Sequence, residues 1–119
     1  MVLGVGTDII EISRVAEAAK RKYFIQRLFT EGEREYLEGK AVESMAGYFC
    51  AKEAISKALG TGFRGIALTD IEIIKVDSVP GVVLHGMAKT IADTKKVNNI
   101  QLSISHCREY ATAVAILEG

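Results

Sequence analysis

The chain has 119 residues, 49% of them apolar and 25% charged, with a single proline, which is the size and composition of one packed domain spanning 1–119 rather than of a disordered or collagen-like segment. Fifteen Lys and Arg balance 15 Asp and Glu, so no global field favours nucleic acid and electrostatic recognition must come from local patches. Two cysteines without CxxC spacing, an N-terminus that lacks a basic start, and no apolar run near the ~18 residues of a membrane span argue against a disulfide framework, a zinc or redox pair, a secretory signal and a membrane helix, and predict a cytoplasmic protein.

In chain order, Val2 to Val5 is a short apolar run before Gly6, which predicts a buried strand carrying Asp8 at its C-terminal end. Ser13 is placed to cap a helix running to about Lys22, with Val15, Ala18 and Ala19 inside and Arg14, Lys20, Arg21 and Lys22 outside. Thr30 and Glu33 have the spacing of a capping box and open a short helix that stops before Gly39. Val42 to Leu59 carries Met45, Phe49, Cys50, Ile55 and Leu59 near helical spacing, and Gly60 follows where a left-handed glycine ends a helix. The β-branched run Asp70 to Val76 and the run Val82 to Leu84 predict a hairpin turning at Pro80-Gly81. Met87 to Lys96 predicts another helix, and Ile100–Ser105 with Tyr110–Leu117 predicts a second hairpin. The expected class is α+β, one long helix and shorter helices packed on an antiparallel sheet.

Four constellations carry possible chemistry. Asp8, following an apolar strand, is either a turn cap or a ligand for a hard cation, and the latter needs one more carboxylate nearby. Glu53 and Lys57, four residues apart, share a helix face with alanines around them. That spacing suits a surface ion pair or an approachable site. Lys52 points elsewhere around the helix and reads as solvated. His106, at a strand end before Cys107 and Arg108, is held rigidly yet within reach of a ligand, whereas His85 beside Gly86 reads as an ordinary surface residue. Finally, Arg14, Lys20, Arg21, Lys22 and Arg27 stand against the single Glu17 between Ile12 and Thr30. This local excess is a solvated face or a docking patch for an acidic protein.

The ordered set Gly6-Thr7-Asp8-Ile9, Phe24-x-x-Arg27-x-Phe29-Thr30-x-x-Glu33, Ala51-Lys52-Glu53-Ala54 with Lys57, Gly60-Thr61-Gly62 and Ile104-Ser105-His106 resembles the holo-acyl-carrier-protein synthases, small single-domain 4′-phosphopantetheinyl transferases, over nearly the whole chain. The resemblance implies the fold of those transferases and transfer of the phosphopantetheine arm of coenzyme A to a serine of apo acyl carrier protein, releasing 3′,5′-ADP, in support of fatty acid biosynthesis. It implies that Asp8 and Glu53 hold Mg²⁺ against the pyrophosphate, that Lys57 contacts the phosphate being attacked, and that Gly60, Ser105 and His106 help to bind coenzyme A. Glu53 or a water on the metal would take the serine proton. Arg14 matches the family's carrier-docking arginine, while Arg21 and Arg27 rest on the local basic excess. The family's trimers imply that His106 of one protomer serves Asp8 and Glu53 of the next.

The sequence departs from the family pattern at two positions. Tyr48 stands immediately before Phe49 where an arginine is usual, leaving Lys40 or Arg64 as the replacement cation, and Cys107 follows His106 with an expected structural role. Two competing readings differ in class: a non-catalytic module that binds a nucleotide-like ligand, with Glu53 and Lys57 as an ion pair, and a metal-dependent phosphohydrolase that would cleave coenzyme A without a carrier.

Overall fold

The computed structural model describes residues 1–60 and 65–119. Two antiparallel sheets surround a central helix. The first has the order β1–β5–β4, with β1 Val2–Glu11, β4 Asn99–His106 and β5 Tyr110–Glu118; the second is the pair β2 Ile71–Val76 and β3 Val79–Leu84. Helix α4 (Val42–Leu59) packs on β1, β5, β4 and β2, with α1 (Ile12–Ala18), α2 (Lys22–Leu28), α3 (Glu31–Leu37) and α5 (Gly86–Thr94) completing the helical layer. This is the expected α+β arrangement. No helix among the described residues is long and apolar enough to cross a membrane.

The composition of α4 explains its central place. Ala46, Gly47, Tyr48, Cys50, Ala51, Ala54, Ile55, Ala58 and Leu59 are buried around almost its full circumference, so the helix is enclosed rather than amphipathic. Ala54 and Ala58 face β1 closely enough that a Cβ on Gly4 would collide with the Ala58 carbonyl, and one on Gly6 with the Ala54 carbonyl. Only glycine permits this approach of strand to helix backbone. Gly60 ends the helix in the left-handed region at φ 81°, as expected.

Four local expectations are corrected. Asp8 lies within β1, paired with Ala113, rather than at its end, because β1 continues to Glu11 along β5. The chain passes directly from β1 into α1, with Glu11 at the cap position and the Ile12 N–H given to the Glu109 carbonyl, so Ser13 is already helical and caps nothing. The first helix ends at Ala18; turn bonds from Lys20 to Glu17 and from Arg21 to Ala18 redirect the chain into α2, whose Phe24, Ile25 and Leu28 then pack on the core. The β2–β3 turn is Asp77-Ser78, with φ of 50° and 67° as a two-residue type I′ hairpin requires, while Pro80 and Gly81 sit inside β3 opposite Lys75 and Ile74.

The capping box at Thr30 and Glu33 is present in both directions. Residues Thr61, Gly62 and Arg64 lie outside the described residues, so the Gly60-Thr61-Gly62 motif beyond Gly60, and Arg64 as a replacement cation, have no structural account.

Candidate active site

Alternation along β1 turns Gly4, Gly6 and Asp8 toward α4, and the close backbone approach allowed by the two glycines brings the strand carboxylate to the helix side chains. Asp8 Oδ1 accepts a bond from Lys57 Nζ at 3.1 Å, and the same ammonium donates to the Thr7 carbonyl at 3.0 Å. Lys57 thus reaches across to the strand, in place of the Glu53–Lys57 ion pair that four-residue spacing allowed. Its side chain is 51% exposed and that of Asp8 15%, so the pair borders open space. Thr112 Oγ1 donates to the Asp8 carbonyl at 2.8 Å, fixing the strand at this point.

Asp8, Glu11, Arg14, Phe49, Glu53, Lys57 and Tyr110 line a cavity of about 490 Å³. Glu53 is pushed up to about 7, first by burial and then by the negative charge of Asp8, with Lys57 opposing. Cys50, whose Sγ donates to the Ala111 carbonyl at 3.3 Å, is pushed up to about 12 by burial and by Asp8, so it stays a thiol at neutral pH. Asp8 and Glu53, with the charge of Asp8 raising Glu53 and Lys57 only partly opposing it, make a hard-oxygen donor set. Among the described residues no cluster of three or more His, Cys, Asp or Glu could hold a metal by itself. The two carboxylate oxygens are of the hard-donor type that suits Mg²⁺, which commonly takes one or two carboxylates and completes its shell with water and substrate phosphates.

Phe49 and Glu53 also line a second cavity of about 500 Å³, walled by Phe24, Arg27, Leu28, Ile66, Ala67 and Leu68. Phe24 and Phe49 stack at 6.3 Å. Arg14 and Arg27 therefore border cavities that open on Glu53, while Arg21 lies between α1 and α2 in extended backbone. Arg14 and Arg21 do not share a helix face. Gly60, Ser105 and His106 line neither cavity; His106 sits opposite Ala111, which in turn pairs with Ile10, so it is two strands away from β1.

The two departures resolve differently. Tyr48 is buried and stacks flat on Tyr36 at 5.3 Å, which turns position 48 toward α3 and away from both cavities. Lys40 lies over the Tyr36 ring at 4.8 Å and lines neither cavity, so it is no replacement cation. Cys107 is an exposed free thiol whose N–H closes the β4–β5 turn on the Tyr110 carbonyl. His85 bonds Glu72 through Nε2 at 3.0 Å, an ordinary surface role.

Lys52 corrects the sequence reading most strongly. Far from solvated, it is fully buried and paired with Glu33. It stands at helical spacing from Tyr48, Ile55, Ser56 and Leu59, all buried, and that periodicity was the available signal.

Residues 4–115 match the model of the 4′-phosphopantetheinyl transferase superfamily. The chain is 50% identical to the holo-[acyl-carrier-protein] synthase of Caldanaerobacter subterraneus, covering 100% of this chain and 97% of that one. The chain belongs to the holo-[acyl-carrier-protein] synthase family. The Clostridium acetobutylicum synthase is 52% identical over 99% of this chain and 98% of its own. Among solved synthases, that of Neisseria meningitidis superposes with a TM-score of 0.91 at 30% identity, covering 100% of both chains. The Helicobacter pylori enzyme, in complex with coenzyme A, superposes at 0.86 and 32% identity, covering 96% of this chain and 99% of that one. The fold is thus that of the synthase family.

Proposed function

We propose that the whole chain is one Mg²⁺-dependent transferase domain that moves the 4′-phosphopantetheine arm of coenzyme A to a serine of apo acyl carrier protein. The observation that carries this is the convergence of Asp8, Glu53 and Lys57 on one cavity, in a chain whose relatives carry that activity in their names. The new bond joins the serine oxygen to the β-phosphorus; the bond from that phosphorus to the bridging oxygen of the pyrophosphate breaks, and 3′,5′-ADP departs. Little covalent work falls to the protein, so positioning and charge stabilisation dominate.

Asp8 and Glu53 are the residues we assign to the metal. Mg²⁺ bound there supplies charge neutralisation for the pyrophosphate. Lys57, half exposed and already oriented by Thr7 and Asp8, directs its ammonium to the phosphate under attack. Glu53, or a water held at the metal, receives the serine proton in this reading.

Gly60, Ser105 and His106 bind coenzyme A in this reading, with Ser105 and His106 supplied by a neighbouring protomer, since they line neither cavity of their own chain. The outer face of the three-stranded sheet supports a homotrimer, because Val5, Ile9 and Val114 are exposed there at 60%, 66% and 38%. Arg14, Arg21 and Arg27 form the docking surface for the carrier. The setting is cytoplasmic fatty acid biosynthesis.

Mass spectrometry of an apo carrier protein incubated with the chain, coenzyme A and Mg²⁺ tests this reading. The expected result is a gain of one phosphopantetheine, abolished by a chelator. Loss of coenzyme A without carrier modification would instead favour a phosphohydrolase, and ligand binding without product a binding module.

A further inference from the structure

Behind the catalytic face of α4 lies a second charged cluster that the transfer reaction does not use. Lys52 and Glu33 are both 0% exposed. The Lys52 ammonium faces the Glu33 carboxylate and donates to the Leu68 carbonyl at 2.9 Å and the Ile71 carbonyl at 2.7 Å, so its three protons have three acceptors, with the Phe29 ring 5.5 Å away. Glu33 accepts from the Thr30 N–H at 2.9 Å through Oε1 and from the Ile73 N–H at 2.8 Å through Oε2. Thr30 Oγ1 in turn donates to Glu72 at 2.7 Å.

A buried ion pair is weak support for stability, because desolvating two charges offsets most of their attraction; such pairs matter more for which arrangement they select. This one joins four segments at fixed distances: α4, the start of α3, the beginning of β2, and the 3-10 turn Leu68–Asp70. That turn matters to function through its location. Leu68, whose carbonyl Lys52 holds, belongs with Ile66 and Ala67 to one wall of the cavity that opens on Glu53. Phe24 and Leu28, which line the same cavity, stand on α2, directly before the Thr30 cap that Glu33 secures.

We infer that Lys52 is a positioning residue for substrate: with Glu33 it sets the separation of the two apolar walls beside Glu53, and so the fit of the substrate portion that lies next to the reacting phosphate. This rests on the transferase reading. Removing the charges together, with side chains of similar length, leaves no stranded charge yet frees the Leu68 and Thr30 walls to relax. The fold should then survive while substrate fit does not.

The test is steady-state kinetics of the double variant Lys52→Met/Glu33→Gln beside the parent chain, with thermal unfolding of both. The expected result is a melting temperature close to that of the parent, a KM for coenzyme A or for carrier raised at least about fivefold, and kcat within about twofold. Unchanged KM for both substrates in a folded double variant would make the pair purely structural and overturn the proposal. A collapsed kcat with unchanged KM would overturn it too, by moving the effect to the chemistry at Glu53. Should the double variant not fold, Lys52→Arg is measured, which keeps the buried charge and its Glu33 partner but changes the reach of the side chain: a raised KM supports the proposal and an unchanged one removes it. A parent chain with no transfer activity would instead sink the transferase reading itself.

Discussion

Lys52 and Lys57 stand on the same helix, and each meets a carboxylate brought from another element, Glu33 from α3 and Asp8 from β1. The first pair is completely enclosed and every ammonium proton has an acceptor; the second leaves the lysine 51% exposed and its carboxylate beside a second acid, Glu53. The difference lies in saturation rather than in residue type. A lysine whose three protons are all taken by buried protein acceptors has none left for a ligand, and acts on substrate only through the segments it holds. A lysine sharing an under-neutralised acidic cavity is open to a phosphate and a cation from solution.

The most severe test of this contrast is to remove the acids on the open side. Asp8→Ala and Glu53→Ala should each abolish transfer, a loss of at least the order of 10²–10³-fold expected when one charge-stabilising group is deleted, while circular dichroism and melting temperature stay near those of the parent. Near-parent turnover by either variant at low Mg²⁺ would remove the assignment to the metal.

The two lysines should then part company when each is truncated. Lys52→Ala strands the Glu33 carboxylate in the core and should cost about 3–5 kcal/mol of stability, read by denaturant unfolding. Lys57→Ala removes a pair whose lysine is half exposed and which is worth about 1 kcal/mol, so its melting temperature should barely move while kcat falls more than coenzyme A affinity. Equal stability losses would erase the distinction between the sites.

Gly6 offers a way to blur the open site without touching its charges. A methyl there meets the Ala54 carbonyl and the Ala58 N–H, so Gly6→Ala must push β1 away from α4, at an overpacking cost of about 1–3 kcal/mol. Because the same movement separates Asp8 from Glu53, activity should fall further than stability alone explains. Activity measured well below the melting temperature, and equal to that of the parent, would show that the contact does not set the carboxylate geometry.

Much of this was legible in the sequence. The capping box, the long helix with its terminal Gly60 and the final hairpin follow from local spacing, and local spacing is what those elements depend on. The convergence of Asp8 with Glu53 and Lys57 was legible only through family resemblance, since it depends on packing between a strand and a helix that lie about 50 residues apart in the chain. Lys52 was misread because lysine is rarely fully buried; its spacing from Tyr48, Ile55 and Leu59 pointed inward, but the partner that makes burial tolerable sits on another helix. The break between α1 and α2 has no glycine or proline to mark it, and with it went the one helix that was expected to carry both Arg14 and Arg21 on its outside.

That break reshapes the docking expectation. Arg14 borders the cavity of Asp8, whereas Arg21 lies on the connecting turn, so reversing both charges should weaken carrier association as the sum of two separate contacts. An increase of about 3–10-fold in carrier KM, flattened at high salt, is expected for rim charges screened over about 8 Å. Coenzyme A affinity should be unaffected by Arg21→Glu alone. A salt dependence identical to that of the parent would place docking elsewhere.

The smallest effect expected is thermodynamic, and it belongs to the open site alone. Glu53 is raised from 4.5 to about 7 in the metal-free chain, by burial first and by Asp8 second. Its native carboxyl therefore binds a proton between those values when the unfolded one does not, so stability must fall as pH rises through that interval. Partial exposure of the site screens the effect, and the slope should be shallow. Glu53→Gln cannot ionise and should flatten this part of the stability curve, as should Mg²⁺ if it binds the two acids and lowers the proton affinity of Glu53. Denaturant titrations at pH 5 and pH 7.5, with and without Mg²⁺, for the parent and for Glu53→Gln, decide the matter. A slope that survives in Glu53→Gln would assign it to another group, and a slope indifferent to Mg²⁺ would mean that the raised carboxyl and the metal do not share a site.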